Sequence, residues 1–530
     1  MNILTLSQFE KIENRRKNAK DCILKEEEKI ENTLKKLKDN GKISEKLFED
    51  LKPMGSQPPR IYGLAKVHKN NITVRPVLSM PGSPYHKISQ KITEWLSVIP
   101  ESKINCSSKQ TMENIKNTRL ENNEVIISFD ITSLYTNVPV KEAITEATNK
   151  LYSGELNKPP VDRKTFTILI ELAMCNILML THDGYYRQTD GLAMGSPPAP
   201  LLANIWLSKF EPVINNDAKV FQRYMDDILI SINKDGIHEK LNEINNLHSN
   251  LKFTIEVEKE GKLPFLDLQI IHESNELKST WYNKPTDTGL VMNFFALAPR
   301  SYKRSVVQGF VHRVFRACSS WSLFHESLEA AKTILEKNQY PPDFYEPIIK
   351  ETLEKLVNRT NETNNEVPNN KEKEKVSEKH MMFLQYRGAI TGKYIKKLKE
   401  KGVSVQPVIT LQKIKYVLPS LKPSIGKDIK SRVVYKVTCP GCQTCYVGQT
   451  SRHLRTRLAE HKNRKDQPVR IHFDECVSDV PTLKDVDILH STFRNLTYLL
   501  TLEALYIKEL KPSLNTKDEY RSRTLTLQFT

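Results

Sequence analysis

Apolar and polar positions recur with different periods along this chain, and the changes of period mark its elements. From residue 1 to about 50 Lys and Glu dominate, and Ile23, Ile30, Leu34 and Leu37 recur at helical spacing, which predicts one or two solvated helices ended by Gly41. Two β-type segments follow, Arg60-Ile-Tyr-Gly-Leu-Ala-Lys66 and Val74-Arg75-Pro76-Val-Leu-Ser. Helical spacing returns over 84–120 through Ile88, Ile92, Trp95 and Leu96, and over 162–181 through Phe166, Leu169, Leu172, Ile177 and Leu178, both read as core support. Between them Glu124-Val-Ile-Ile-Ser-Phe-Asp130 is a β-rich run closed by a carboxylate. Val220-Phe221 and the alternating Ile228-Leu-Ile-Ser-Ile232 flank Tyr224-Met225-Asp226-Asp227, which predicts a hairpin carrying two acids at its tip.

The rest of the chain divides further. Residues 291–357 read as basic helices with Tyr302, Lys303, Arg304, His312, Arg313 and Trp321, and 358–380 hold so few apolar residues that a flexible linker is expected. Residues 381–430 form a connector with lysines at 393, 396, 397, 399 and 401 and a strand expected at Lys415 to Leu418. A last domain over 431–520 opens with the β-type runs Val433-Val434-Tyr435-Lys436-Val437 and Tyr446-Val447-Gly448-Gln449-Thr450. Helices follow at Leu454 to His461 and at Leu496 to Leu510. The fold class is therefore multidomain α+β.

Composition adds a partner. Among 530 residues, 80 Lys and Arg outnumber 63 Asp and Glu, and the resulting +17 is spread along the chain, which favours a polyanion, nucleic acid before membrane. No apolar run approaches the roughly 20 residues of a membrane span, and charge follows the first residues at once, so no secretory leader is read. The Asn-x-Thr triplets near residue 360 are accordingly discounted as glycosylation sites. Cys439, Cys442, Cys445 and Cys476 cluster near the C-terminus, and in a reducing compartment such clustering argues for a metal rather than disulfides.

Adjacent acids on a tight turn repel unless a cation lies between them, so Asp226 and Asp227 point to a divalent metal. An Asx-type turn is the plainer alternative. Asp130, closing a separate strand, supplies a third carboxylate, and two metal ions held this way activate an attacking 3′-oxygen and steady a leaving pyrophosphate. Lys66 and Arg75 could form a hairpin whose cations meet a triphosphate. Gly191-Leu-Ala-Met-Gly195-Ser-Pro ahead of a helix lets the backbone approach a base pair closely, or is simply a loop. Tyr135 suits either packing or crowding of a ribose 2′-hydroxyl, and the N-terminal helices either a template-gripping arm or a scaffold.

These stretches resemble motifs A and C of reverse transcriptases, and Phe129-Asp-Ile-Thr-Ser-Leu-Tyr-Thr-Asn-Val-Pro139 especially resembles the Penelope-like retroelements. Tyr62-Gly-Leu-Ala-Lys66-Val-His68-Lys69 with Arg75-Pro76 is similar to that family's first fingers motif, with Ala65 where the pattern has proline. The 190–200 segment resembles motif B, and Leu263-Pro-Phe-Leu-Asp267-Leu and Trp281-Tyr-Asn-Lys-Pro-Thr-Asp287 resemble the final palm and primer-grip motifs. The resemblance implies right-hand fingers and palm over 51–290 and a thumb over 291–357, after a basic helical region at 1–50. It implies a metal-binding trio of Asp130, Asp226 and Asp227 with two Mg²⁺. It also implies nucleotide contacts from Lys66 and Arg75, a steric gate at Tyr135, and support of the nascent pair by Gly191 and Gly195. Asp267 is read as a strand-edge residue, because the trio is already complete.

The last domain looks like a GIY-YIG nuclease, a small α/β domain that Penelope-like elements also carry. By resemblance Tyr435 and Tyr446 are its motif tyrosines, Gly448 allows close approach to the phosphate, and Arg457 stabilises the phosphorane charge. His461 assists proton transfer, Glu503 holds one Mg²⁺ and Asn515 buttresses the site. Val434-Tyr435-Lys436 keeps only the tyrosine of the first motif. Cys439-Pro-Gly-Cys442 has zinc-type spacing, and His472-x-x-x-Cys476 completes a structural zinc knuckle, with Cys445 as the rival ligand.

The expected protein is a retroelement RNA-directed DNA polymerase joined to a DNA-nicking endonuclease for target-primed reverse transcription. Its partners are template RNA, target and primer DNA and deoxynucleoside triphosphates, with no membrane, and a homodimer is compatible with this reading. It would be made in the cytoplasm and act in the nucleus. The alternatives are a telomerase-like enzyme that extends existing DNA 3′ ends beside a degenerate nuclease, and an inactive nucleic-acid-binding remnant.

Overall fold

A computed structural model of the chain describes residues 8–12, 21–66, 73–100, 107–116, 118–154, 156–216, 218–363, 380–403, 405–411, 418, 420, 422–477, 479–492 and 496–515. The chain divides into two compact units, one built from residues 1–100, 133–209 and 421–530 and the other from 101–132 and 210–420.

The second unit is organised around a four-stranded antiparallel sheet, ordered Phe221–Tyr224, Asp227–Asn233, Glu124–Ile131 and Phe253–Val257. The strand Glu124–Ile131 is central, and Ile126, Ile127 and Phe129 on it are buried. Ile126 and Leu229 share a core with Leu263, Phe265, Leu268 and Ile270 of a neighbouring antiparallel sheet, made by Lys262–Phe265, Leu268–Glu273 and Glu276–Trp281. Three helices follow, Arg300–Ala317, Trp321–Lys337 and Pro342–Thr363, closed on each other by Val307, Val311, Val314, Phe324, Leu335, Phe344 and Ile348. The last of these runs past residue 358, where the sequence pattern placed the start of a linker, and 364–379 lie outside the described residues. In the connector the parallel strands His380–Gln385 and Val405–Thr410 flank the helix Ala389–Glu400, and residues 415–417 of the expected strand lie outside the described residues.

The first unit holds a five-stranded sheet ordered Phe9–Lys11, Gly184–Gln188, Ile177–Thr181, Arg60–Lys66 and Thr73–Ser79. Here one expectation is corrected. The single helix read over 162–181 is the helix Arg163–Met174, capped by the Asp162 side chain on Thr165 N at 2.8 Å, followed by the strand Ile177–Thr181. A run as apolar as Ile177-Leu-Met-Leu carries no period to tell a buried strand from a buried helix, and pairing with Gly184–Gln188 decides it.

The N-terminal helix Asp21–Asp39 ends as expected at Gly41, whose φ of 67° allows the amides of Gly41 and Lys42 to bond back to Lys38 and Leu37. It is not solvated all round, because Ile23, Ile30 and Leu34 are wholly buried. Two of its acids are engaged too. Glu26 pairs with Arg187 at 2.6 Å, and Glu27 accepts from Ser56 and meets His453 Nε2 at 2.8 Å. One face of the helix is thus packed into this unit, while Lys25, Lys29, Asn32, Lys35 and Lys36 stay exposed. His453 belongs to the C-terminal part, a three-stranded antiparallel sheet ordered Cys445–Thr450, Val433–Thr438 and Val486–Ser491. The helices Leu454–Asn463, Pro468–Cys476 and Leu496–Leu510 pack with it.

Candidate active sites

The acidic hairpin is tight. Tyr224 pairs with Asp227, so Met225 and Asp226 alone form the turn, and Met225 takes a left-handed φ of 55°. Asp227 opens its strand directly opposite Asp130, and Ile131 N donates to Asp226 O at 3.1 Å. Like charges placed opposite each other destabilise a sheet. Burial, then the charges of Asp226 and Asp130, push the Asp227 carboxyl up to about 6, with Lys284 opposing them. All three carboxylates are half-buried. A set of acids held this close, one of them forced towards its protonated form, is the donor chemistry that a hard divalent cation neutralises, so Mg²⁺ fits.

In the first unit the structure laces the other motif residues together through backbone. Tyr135 lies half-buried in the short helix Leu134–Asn137, and its carbonyl accepts from Leu192 N at 2.6 Å. Asp190 accepts from Val140 N at 3.0 Å and from Gly191 N at 2.8 Å. The close approach that the two glycines permit is to the protein itself. Gly191, at φ 77°, would put a Cβ 2.5 Å from Thr136 O, and Gly195, at φ 109°, 2.1 Å from Leu78 O. Leu78 N in turn donates to Met194 O at 2.7 Å, which ties this loop to the strand carrying the exposed Arg75. Lys66 ends the partner strand, and its side chain lies outside the described residues.

Near the C-terminus, adjacent antiparallel strands set Tyr435 opposite Gly448. The Tyr435 hydroxyl accepts from Arg457 Nε at 3.1 Å and stands 2.8 Å from His461 Nε2, to which it is able to donate. Burial, then Arg457, hold His461 down to about 4, so its ring is neutral at physiological pH. Burial raises the Tyr435 hydroxyl, Arg457 opposes it, and Glu503 adds to the rise, which puts that half-buried carboxylate within electrostatic reach. The Tyr446 ring packs against His461 at 5.4 Å. Asn515 bonds both the amide and the carbonyl of Val447, at 2.9 and 2.8 Å, and so satisfies a strand at the sheet's edge. On the side where a side chain would stand, Gly448, expected to allow close approach to a phosphate, faces the two tyrosines. A Cβ there would lie 2.7 Å from Tyr446 and 2.9 Å from the Tyr435 hydroxyl.

Cys439, Cys442, His472 and Cys476 bring their ligand atoms within 4.8 Å of one another. That spread suits tetrahedral coordination at about 2.0–2.3 Å per bond. Hydrogen bonds, from Thr444 first, hold the Cys442 thiol down to about 6, which favours the thiolate a metal requires. Cys445 is outside this set, in the strand Cys445–Thr450. The Asp267 side chain accepts from Ser108.

Sequence reasoning passed over Arg223 and Glu211, a buried ion pair at 2.8 Å beneath the acidic turn, and Thr444 beside the thiols. A charge in the middle of Val220-Phe-Gln-Arg-Tyr was the available signal.

Residues 290–350 match the animal helix-turn-helix domain. A comparison with curated proteins gives no match. Among solved structures, similarity reaches telomerase from Candida albicans in complex with a fragment of telomeric RNA, at a TM-score of 0.41 and 11% identity over 64% of this chain and 65% of that one. Apo telomerase from Candida tropicalis gives 0.34 and 14% over 57% and 62%, and the Sicinivirus RNA-dependent RNA polymerase 0.35 and 10% over 58% and 71%. The chain thus spans less than two thirds of the telomerase chains it aligns with. Residues 67–263, which start after the strand Arg60–Lys66 and run through the acidic turn, match the reverse transcriptase (RNA-dependent DNA polymerase) family, and the chain carries a reverse transcriptase domain.

Proposed function

We propose that this chain is an RNA-directed DNA polymerase that works with its own C-terminal DNA-nicking domain, in the manner of Penelope-like retroelements. The observation that carries the polymerase is the two-residue turn that sets Asp226 and Asp227 against Asp130 at the end of the central strand. Asp130, Asp226 and Asp227 would hold divalent cations, which would supply charge neutralisation at the attacking 3′-oxygen and the departing pyrophosphate. The chain's own groups do the positioning. Arg75 offers a fork of donors to the triphosphate oxygens, Tyr135 excludes a ribose 2′-hydroxyl, and the Asp190–Gly195 loop holds the Tyr135 carbonyl through the Leu192 amide.

In the C-terminal domain Arg457 is the group able to meet a scissile phosphate, Tyr435 and His461 share a proton, and Glu503 is the carboxylate that would hold a metal ion. The Cys439, Cys442, His472 and Cys476 set would take a structural zinc. Together these support target-primed reverse transcription, in which a nicked DNA strand primes copying of an RNA template from deoxynucleoside triphosphates. Such work places the protein in the nucleus. Primer extension on an RNA template with Mg²⁺ tests the polymerase. Extension is expected from the natural chain and not from Asp226→Ala Asp227→Ala, and no extension under any metal or primer condition overturns it.

One observation favours a second reading for the nuclease. Tyr435 and His461 are each 1% exposed, which suits a degenerate domain and a polymerase that extends existing DNA ends. Nicking of supercoiled DNA lost in Glu503→Gln supports the coupled enzyme, and insertion unaffected by Glu503→Gln supports the second reading.

A further inference from the structure

Arg223 and Glu211 belong to no motif named above, and the structure buries both directly beneath the acidic turn. The Arg223 side chain is 1% exposed, in the first strand of the hairpin, and Glu211 opens the short helix Glu211–Ile214 with its side chain 11% exposed. Arg223 Nε and Nη2 both reach Glu211 Oε1, at 3.0 and 2.8 Å. That leaves Nη1, which donates to the carbonyl of Met225 at 2.8 Å. Met225 is the left-handed residue of the turn, a conformation unfavourable for a residue with a side chain. Its neighbour's carbonyl, Asp226 O, is held from the other side by Ile131 N. Both peptide carbonyls of the two-residue turn are therefore pinned, one by the adjacent strand and one by a guanidinium that Glu211 fixes in place.

Burying an ion pair is a poor way to gain stability, because desolvation offsets much of the attraction. Apolar residues of similar size would fill the same space. What they lack is a donor aimed at the Met225 carbonyl. We propose that Arg223, oriented by Glu211, is a positioning residue for the metal-binding carboxylates: it fixes the Met225–Asp226 peptide, so that Asp226 and Asp227 face Asp130 in one arrangement. This rests on the polymerase reading of the trio.

The test separates positioning from mere packing. Arg223→Met alone leaves Glu211 buried without its guanidinium and is expected to destabilise the fold, so the informative variant is Glu211→Met Arg223→Met, which removes both charges and keeps the volume. Full-length proteins are compared by thermal unfolding, by Mn²⁺ titration followed by electron paramagnetic resonance, and by primer extension against Mg²⁺ concentration. The double variant is expected to unfold within a few degrees of the natural chain. Its half-saturating metal concentration should rise about 10- to 100-fold in both titrations, the effect usual for residues that orient ligands, with most of kcat recovered at saturating metal. Arg223→Lys, which keeps the charge but loses the fork, should fall between. A folded double variant with unchanged metal dependence overturns the proposal, as does a natural chain with no Mn²⁺ site that Asp226→Asn Asp227→Asn removes. If the natural chain binds Mn²⁺ through these aspartates, weakly in the double variant, and yet extends no primer, the positioning role stands and the polymerase reading falls.

Discussion

Asp227 faces Asp130 across the sheet with Asp226 beside it, and its carboxyl is pushed up to about 6 by burial first and by these neighbours second. A carboxyl whose pKa is higher in the folded chain favours folding while it is protonated. That contribution is present below the unfolded value near 4 and is lost as pH rises through about 6. At neutral pH the metal-free trio therefore works against the fold, and a bound cation reverses this. Mg²⁺ or Mn²⁺ should raise the unfolding midpoint at neutral pH by more than it does near pH 5. Asp227→Asn should raise the metal-free midpoint at neutral pH and abolish the metal-induced rise. Equal metal effects at the two pH values would contradict the coupling. At Gly195 the constraint is steric. With φ at 109° and Leu78 O 2.1 Å from any added Cβ, Gly195→Ala should cost about 1–3 kcal/mol or more, read as a lower midpoint. Gly236→Ala, with nothing within 4 Å, should leave the midpoint nearly unchanged.

Between elements, the thiol cluster joins the turn after the strand Val433–Thr438 to the helix Pro468–Cys476. Two elements joined by four ligands gain their stability from the metal itself. Metal analysis of the purified chain should find one zinc per molecule, lost in Cys442→Ser and His472→Ala but kept in Cys445→Ser. Chelation should lower the unfolding midpoint of the natural chain. Retention of zinc without His472 would assign Cys445 instead.

At the scale of the whole chain, residues 421–530 share a compact unit with 1–100 and 133–209. The link is chemical as well as spatial. Burial pushes the Glu27 carboxyl up, but the hydrogen bond and charge of His453, with Ser56, outweigh it and hold the carboxyl below its ordinary range. Gly55, at φ 60°, lies so close to Ser451 that a Cβ would meet its carbonyl at 2.4 Å. A chain ending at residue 420 uncovers Glu27 and Gly55, and should unfold at a lower temperature and show faster proteolysis at 21–60 than the full chain. The spread charge of +17 bears on association. Binding to a primed template should weaken linearly in log–log plots against salt, as phosphate contacts require.

By itself the sequence determined the order of the chemistry: a carboxylate closing one strand, a glycine-punctuated loop, an acid pair on a turn, and then the tyrosine strands and thiols. Residue type at fixed local spacing expresses all of these, and so does the helix stop at Gly41. Tertiary structure decided whatever depends on residues distant in the chain. It made Ile177–Thr181 a strand, because a uniformly apolar run has no period and only a pairing partner assigns it. It seated one face of the Lys- and Glu-rich N-terminal helix, because the partners of Glu26 and Glu27 are Arg187 and His453. It gave the space beside Gly191, Gly195 and Gly448 to the protein's own atoms. And it set Glu211 and Arg223 under the acidic turn, where a buried charge is stable only when its partner and its acceptor are already in place.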